Sequence, residues 1–216
     1  ELFFMGILKI SRSNLSSLII LLFCIFFSPN LISKPVSFLK IVKNLKSIKS
    51  PTIYRNFDKI CESIEIYKGN PGFDKVLDQL DIFLKHPQFK NNPSLALGII
   101  YEITESLELA KEKRAPKKFQ VALNCSLKNI TRIIDAQNKE EFFEYKNVYW
   151  PRIDKNPRFI VKIIKQISDE KYLANIRGKN FELRSNQPLT DFWKEFCKKE
   201  KISFKDNTKS CINDLD

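Results

Sequence analysis

The chain has 216 residues, of which 43% are apolar and 29% charged, and its 37 lysines and arginines exceed the 25 acidic residues to give a formal net charge of +12. This composition excludes a disordered chain and supplies enough apolar material for one domain or two small ones. The five glycines form no GxGxxG or GxxxxGK[ST] sequence, which excludes the common phosphate-binding loops, and the single histidine, His86, excludes multi-histidine metal centres.

The first 33 residues are typical of a targeting segment. A basic stretch with Lys9 and Arg12 leads into ten consecutive apolar residues, 18–27, and small and helix-breaking residues follow. A transmembrane helix needs about 20 apolar residues, so this order favours a signal peptide, with a membrane anchor or a buried helix as the alternatives. Met5 is the expected start of the protein. We therefore predict an extracytoplasmic protein (secreted, periplasmic or lumenal) or a membrane-anchored one.

Residues 34–51 are predicted to form a basic amphipathic helix or linker that ends at Pro51. Apolar residues recur at every third position from 39 to 48, and a parallel row of lysines accompanies them: Lys40, Lys43, Lys46 and Lys49. One interpretation is that the lysines bind an anionic membrane surface while the apolar residues insert into it. The other is an ordinary surface helix whose apolar stripe packs on the core.

Residues 52–205 are predicted to be an all-α domain of seven or eight amphipathic helices, packed as successive helical hairpins. Apolar residues recur at helical spacing over 53–64, 73–84, 96–110, 119–134 and 160–167. Shorter helices are expected around 140–146 and from Thr190. Residues 172–184 are ambiguous, because Gly178 is typical of the turn in a small β-hairpin. A polar tail, 206–216, follows.

Four cysteines remain after residues 1–33. An exported chain with four cysteines permits two disulfides. Cys197 and Cys211 are the pair we expect, because a bond between them would hold the polar tail. Cys61 and Cys125 lie on apolar faces and are expected to be buried thiols.

The densest mixture of aromatic and basic residues lies between 142 and 159, and four of its members form a predicted ligand surface: Tyr149, Trp150, Arg152 and Arg158. Rings of this kind stack on a base or sugar, and the cations hold phosphate or carboxylate groups. The alternative is a corner between helices where the rings fill the core.

Two rows of acidic residues occur at helical spacing: Asp74, Asp78 and Asp81, then Glu105, Glu108 and Glu112. Such rows are usually solvated faces paired with nearby lysines, so we expect neither a metal site nor any other cofactor.

No motif here is specific to one known family, and the function predicted is binding. We expect a basic helical adaptor for a protein partner, or a factor that docks on an anionic membrane, rather than an enzyme. The alternatives are a hydrolase or transferase with carboxylates in a cleft between helices, and a non-specific nucleic-acid binder. Nucleic acid is the less expected partner because lysine greatly outnumbers arginine.

Overall fold

Helices lie on both faces of a five-stranded sheet in the part of the chain that the computed structural model describes, which is Ile41 and residues 51–85 and 94–207. These residues all belong to one unit, residues 36–216. The elements, in chain order, are α1 (Pro51–Tyr67), α2 (Pro71–Lys85), α3 (Ser94–Lys111), β1 (Lys118–Cys125), β2 (Ile130–Gln137), β3 (Glu141–Lys146), α4 (Trp150–Asp154), α5 (Pro157–Asn175), β4 (Asn180–Ser185), α6 (Asp191–Lys199) and β5 (Ser203–Asp206).

The sheet is mixed, with strand order β1-β2-β3-β4-β5. The first three strands form an antiparallel meander, and β3, β4 and β5 are parallel. Parallel neighbours need a crossover, which α4 and α5 provide between β3 and β4 and α6 provides between β4 and β5. The prediction of an all-α domain with seven or eight helices is therefore wrong: six helices and five strands make up the described residues.

Two apolar clusters cover the two faces of the sheet. On one face, α1, α2 and α3 pack on Phe119, Phe143 and Tyr145. On the other face, α4, α5 and α6 pack on Phe142 and Phe181, with Trp150 and Trp193 both fully buried. The domain thus has three layers, α/β/α.

The main error in the prediction concerns residues 119–134, which form the β1–β2 hairpin instead of a helix. Apolar residues four positions apart share one face of a helix, but they also share one face of a strand, because side chains in a strand alternate with a period of two. The predicted helix at 140–146 is likewise strand β3 (Glu141–Lys146), which has buried side chains on both faces of the sheet. Such a strand shows no alternation between apolar and polar residues.

The predicted hairpin at 172–184 is also corrected. Residues 172–175 continue α5, and residues 180–185 are β4, which pairs with β3 in parallel. Gly178 has φ +63 and ends the helix, with its N–H donating to the carbonyl of Asn175 (3.0 Å). Glycine in this conformation is common just beyond the end of a helix. Gly178 therefore marks the end of α5 and not the turn of a hairpin.

The helices over 53–64, 73–84, 96–110 and 160–167 and the one from Thr190 are present. Asn156 begins α5, because its side chain accepts the N–H groups of Arg158 (3.2 Å) and Phe159 (3.4 Å). Gly72 lies where α2 meets β1, and a Cβ there would come within 2.5 Å of the Phe119 carbonyl oxygen. Only glycine allows this approach.

Several predictions lie outside the described residues: the targeting segment 1–33, the lysine row of 34–51, His86 and Cys211. Of the predicted basic helix only Ile41 is described, and it is helical and buried in the cluster with α1, α2 and α3. No helix within 51–85 or 94–207 combines the length and apolar character needed to cross a bilayer.

Candidate functional site

The candidate site lies where β2 and β3 separate. Their antiparallel pairing joins Ala136 to Phe143 and Gln137 to Phe142, and Asp135 and Glu144 do not continue it. Instead, the Asp135 carboxylate accepts the backbone N–H of Tyr145 at 2.8 Å. A side chain thus takes the place of a backbone partner. Charged side chains from both faces of the sheet come together at the opening between the two strands.

The backbone of β1 is strained at the same level. Gln120 has φ +49 in the middle of a strand, a conformation that is costly for a residue with a side chain. Phe119 packs with α1, α2 and α3, whereas Leu123 packs with the helices of the opposite face. Gln120 therefore interrupts the alternation of side chains along β1, so that Phe119 and Leu123 face opposite layers. The side-chain amide of Gln120 donates a hydrogen bond to Glu102 Oε1 at 2.8 Å.

Four carboxylates and one ammonium meet at this opening, and together they are called the carboxylate site: Glu102 from α3, Asp135 from β2, Glu144 and Lys146 from β3, and Glu170 from α5. Glu102, Glu144 and Glu170 are 8%, 2% and 0% exposed. Lys146 donates a hydrogen bond to Glu144, and Gln166 donates to both Glu144 and Glu170 at 2.8 Å.

The electrostatics of the carboxylate site are unbalanced. Burial, followed by repulsion from Glu144, raises the pKa of Glu170 and that of Asp135 well above the usual range of carboxylic acids. Burial also raises the pKa of Glu102 to about 8. Burial alone would lower the pKa of Lys146, but attraction from Glu144, Glu170 and Asp135 outweighs it and raises this pKa. Lys146 therefore stays protonated at neutral pH. Within the site it is the one cation among four acids, and Arg132 also attracts Glu170.

Two carboxylate oxygens of the carboxylate site are left without a partner. Glu144 Oε2 and Glu170 Oε2 are buried and accept no hydrogen bond from any residue that the structure describes. A buried acceptor without a partner costs free energy, so both oxygens are available to a cation. The donor set consists of carboxylate oxygens, which suits Mg²⁺ or Mn²⁺ better than zinc or copper.

A divalent cation fits this chemistry, and the residues that would hold it are Glu102, Asp135, Glu144 and Glu170. Within residues 51–85 and 94–207, no three acidic, histidine or cysteine side chains already stand in a geometry that would hold one ion. The carboxylates would therefore move toward the cation as it binds, and its charge would relieve their mutual repulsion.

The predicted ligand surface is divided between the core and a large cleft. Trp150 is fully buried, and its indole N–H donates to Ser185 Oγ at 2.7 Å. Tyr149 and Arg152 line the cleft, which has a volume of about 850 Å³, while Arg158 is exposed and is not among the lining residues. Trp150 thus fills the core, as the alternative interpretation expected. A role in ligand binding stays a prediction for Tyr149, Arg152 and Arg158.

The predicted acidic rows do not form the site. Glu105 and Glu112 pair with Arg184 at 2.8 and 2.9 Å, and Glu108 pairs with Lys59 at 3.0 Å. Asp81 forms an ion pair with Lys85. Cys197 is fully buried, and because Cys211 is not described, the disulfide between them stays a prediction.

The residues of the carboxylate site were missed by the sequence analysis, although a signal was present. Asp135 follows Ile133 and Ile134, and Glu144 and Lys146 alternate with Phe143 and Tyr145. Charged residues inside apolar segments are costly unless they are paired or functional. Read as strands, these segments give Asp135 and Glu144-Tyr145-Lys146 on neighbouring strands.

Comparison of the chain with protein-family models and with curated proteins returns no match. The interpretation of the site therefore depends on its own residues.

Proposed function

We propose that this protein is a metal-dependent phosphodiesterase that cleaves nucleic acid. The observation that carries the proposal is the carboxylate site, where Glu102, Asp135, Glu144 and Glu170 lie together with Lys146. This expectation replaces the binding function that the sequence analysis favoured, and it is closest to the alternative of a hydrolase with clustered carboxylates.

The composition of the site suits hydrolysis of a phosphate diester. A bound Mg²⁺ would activate water and neutralise charge on the phosphate, which is the usual contribution of metal ions in nucleases. Water adds to phosphorus, the bond from phosphorus to one ester oxygen breaks, and the departing oxygen takes up a proton. The products are a phosphate monoester and an alcohol.

Lys146 is the residue of this site that would contact the phosphate. Its ammonium group stays protonated because acids surround it, so it serves as a fixed positive charge rather than as a base. A fixed cation next to the reacting phosphate stabilises the charge that develops on the phosphate oxygens. Gln166 holds Glu144 and Glu170 in place, and Gln120 holds Glu102, so these two amides are positioning residues.

The charge of the chain supports a polyanionic substrate. A formal net charge of +12 favours association with nucleic acid, because neutralising phosphates releases counterions. A small phosphate ester would not need this excess. The weaker expectation for nucleic acid, drawn from the scarcity of arginine, is outweighed by a site whose chemistry matches phosphodiester cleavage.

The direct test is to incubate the purified full-length chain with plasmid DNA, single-stranded DNA and RNA, with Mg²⁺ or Mn²⁺ and with EDTA. We expect cleavage with either ion and none with EDTA. Glu144→Gln and Lys146→Met should each reduce the cleavage rate at least about 100-fold. The first removes a carboxylate that would hold the cation, and the second removes the fixed positive charge next to the phosphate.

Glu140→Gln is the matched control, because Glu140 is exposed at the turn before β3 and its substitution removes the same charge. Its cleavage rate should equal that of the wild type. Equal activity of Glu144→Gln and the wild type, or activity that persists in EDTA, would overturn the proposal.

A further inference from the structure

An asparagine follows the carboxyl end of each parallel strand of the sheet. Asn147 follows β3, Asn186 follows β4, and Asn207 follows β5. Asn207 Nδ2 donates to Asn186 Oδ1 at 3.4 Å, and Asn186 Nδ2 donates to Asn147 Oδ1 at 2.8 Å. These three residues are called the amide row.

The amide row has a free group at each end. Among the described residues, Asn147 Nδ2 and Asn207 Oδ1 take part in no hydrogen bond, so the row offers one donor and one acceptor. The edge of an unpaired nucleobase carries donors and acceptors of the same kind, and amide side chains read such edges. The carboxyl ends of parallel strands are also where α/β folds bind their ligands.

The amide row lines the cleft of about 850 Å³, together with two exposed aromatic rings. Tyr149 is 54% exposed and Phe159 is 50% exposed. Rings that remain exposed beside amide groups offer a face on which a base can stack. The volume lies within the range of pockets that bind small ligands and is ample for one nucleotide.

The charges in the cleft are compatible with a phosphate. Its basic residues include Arg152, and its acidic residues are Glu105 and Glu108. Glu105 is paired with Arg184 and Glu108 with Lys59, so neither acid faces the cleft without a counter-charge.

None of the five residues of the carboxylate site lines the cleft, but α3, and β3 with the residue after it, contribute residues to both. Asn147 directly follows Lys146 at the end of β3, and Tyr101, which lines the cleft, directly precedes Glu102 on α3. A strand with one nucleotide in the cleft would have to extend along β3 or α3 to place a phosphate at the site.

We propose that the cleft binds an unpaired nucleotide of the substrate strand, with its base on Tyr149 and Phe159 and its edge on the amide row. This inference rests on the proposed nuclease function and names the substrate class, which is single-stranded nucleic acid. A paired base cannot enter, because its edge and both faces are already occupied in a duplex.

The test measures binding by fluorescence anisotropy, with Ca²⁺ in place of Mg²⁺ and the full-length chain. The probes are a labelled single-stranded DNA, an RNA of the same sequence and the matching DNA duplex. We expect a single strand to bind about tenfold more tightly than the duplex, and Tyr149→Ala to remove about tenfold of that affinity. Tyr149→Phe should retain the affinity, and Asn147→Ala should weaken binding several-fold.

Phe192→Ala is the control, because Phe192 is 47% exposed and does not line the cleft, and it should bind as the wild type does. Comparison of DNA with RNA shows which strand the cleft accepts, and preference for either supports the inference. Equal binding of single strand and duplex, unchanged in Tyr149→Ala, would overturn it.

Cleavage assays with Mg²⁺ separate this inference from the proposed function. Cleavage without a single-strand preference would overturn the nucleotide site and leave the nuclease proposal standing. Single-strand binding that depends on Tyr149, without cleavage under any metal, would support the nucleotide site and overturn the nuclease proposal.

Discussion

Two clusters of charge lie on the same sheet and share helix α3, but they are balanced differently. The first, called the paired network, joins four carboxylates to three cations: Glu105, Glu112, Glu141 and Glu182 with Arg114, Arg184 and Lys205. The second is the carboxylate site, where four carboxylates share Lys146 and only Glu170 is also attracted by Arg132. Successive turns of one helix thus contribute Glu102 to the site and Glu105 to the network.

The pKa values reflect this difference in balance. Burial acts to raise the pKa of Glu112, but hydrogen bonds from Arg184 and Lys205 outweigh it and lower the pKa to about 2. Burial is likewise outweighed at Glu141 by hydrogen bonds from Arg114 and Asn138, whereas burial raises the pKa of Glu105. In the carboxylate site the pKa values of Glu102, Asp135 and Glu170 are all raised. Glu112 and Glu141 are held as carboxylates by neighbouring cations. The acids of the carboxylate site have fewer such partners, and a bound divalent cation would provide the missing positive charge.

The largest expected effect comes from breaking the paired network at Arg184, which is fully buried. Arg184→Met leaves Glu105 and Glu112 without their main partner. Removing one member of a buried ion pair typically costs 3–5 kcal/mol, so the free energy of unfolding should fall by about that amount. Chemical denaturation measures it.

Arg158→Met is the matched control for this substitution, because Arg158 is exposed. The control should lie within about 0.5 kcal/mol of the wild type. A similar small effect at Arg184 would show that the network does not hold the sheet together.

At the carboxylate site, removing a charge is expected to raise the free energy of unfolding. Asp135→Asn removes a charge from the cluster and keeps the acceptor for the Tyr145 N–H, so without metal at pH 8 it should raise the free energy of unfolding by roughly 1–2 kcal/mol. Because the pKa of Asp135 is raised in the folded protein, the wild type loses stability as pH rises above about 4. The difference between variant and wild type should therefore shrink at pH 5.

Mg²⁺ provides the second measurement for this variant. At pH 8 it should raise the melting temperature of the wild type, because it neutralises the ionised carboxylates, and it should have less effect at pH 5, where protons compete. Asp135→Asn should respond weakly at either pH. Equal Mg²⁺ responses of the two proteins would contradict the assignment of Asp135 as a residue that holds the cation.

The smallest effect concerns the strained backbone beside the carboxylate site. Gln120→Gly relieves the cost of φ +49, so the free energy of unfolding should rise or stay within about 1 kcal/mol of the wild type. The cleavage rate should nevertheless fall, because Glu102 loses its hydrogen bond from Gln120. A lower stability together with an unchanged rate would show that Gln120 has only a structural role.

The sequence predicted most helices because their apolar spacing and their first residues agree. Asn156 and Pro157, for example, are residue types typical of a helix start, and they begin α5. It failed for the strands, because residues four positions apart, such as Ile130 and Ile134, fit both a helical spacing and a strand spacing. Pairing between strands decides between the two, and the pairing of β3 with β4, which joins Glu141 to Asn180, involves distant parts of the chain.

The carboxylate site could be predicted only in part, for a related physical reason. Asp135, Glu144 and Lys146 are visible as charged residues in apolar surroundings once strands are assigned. Glu102 and Glu170 lie on helices at the two faces of the sheet, and no local pattern brings them together. The positive φ of Gln120 is a property of the folded backbone and has no counterpart in its residue type.

The tryptophan pair has a practical consequence. The chain contains two tryptophans, and their rings lie 4.8 Å apart in the layer formed by α4, α5 and α6. The indole N–H of Trp193 donates to Asp154, which follows the cleft residue Ile153 on α4. All intrinsic indole fluorescence therefore arises from one corner of the molecule, next to the cleft. Tryptophan emission therefore changes with the structure around that corner. The layer of α1, α2 and α3 contains no tryptophan among its described residues, so its unfolding has to be followed by circular dichroism.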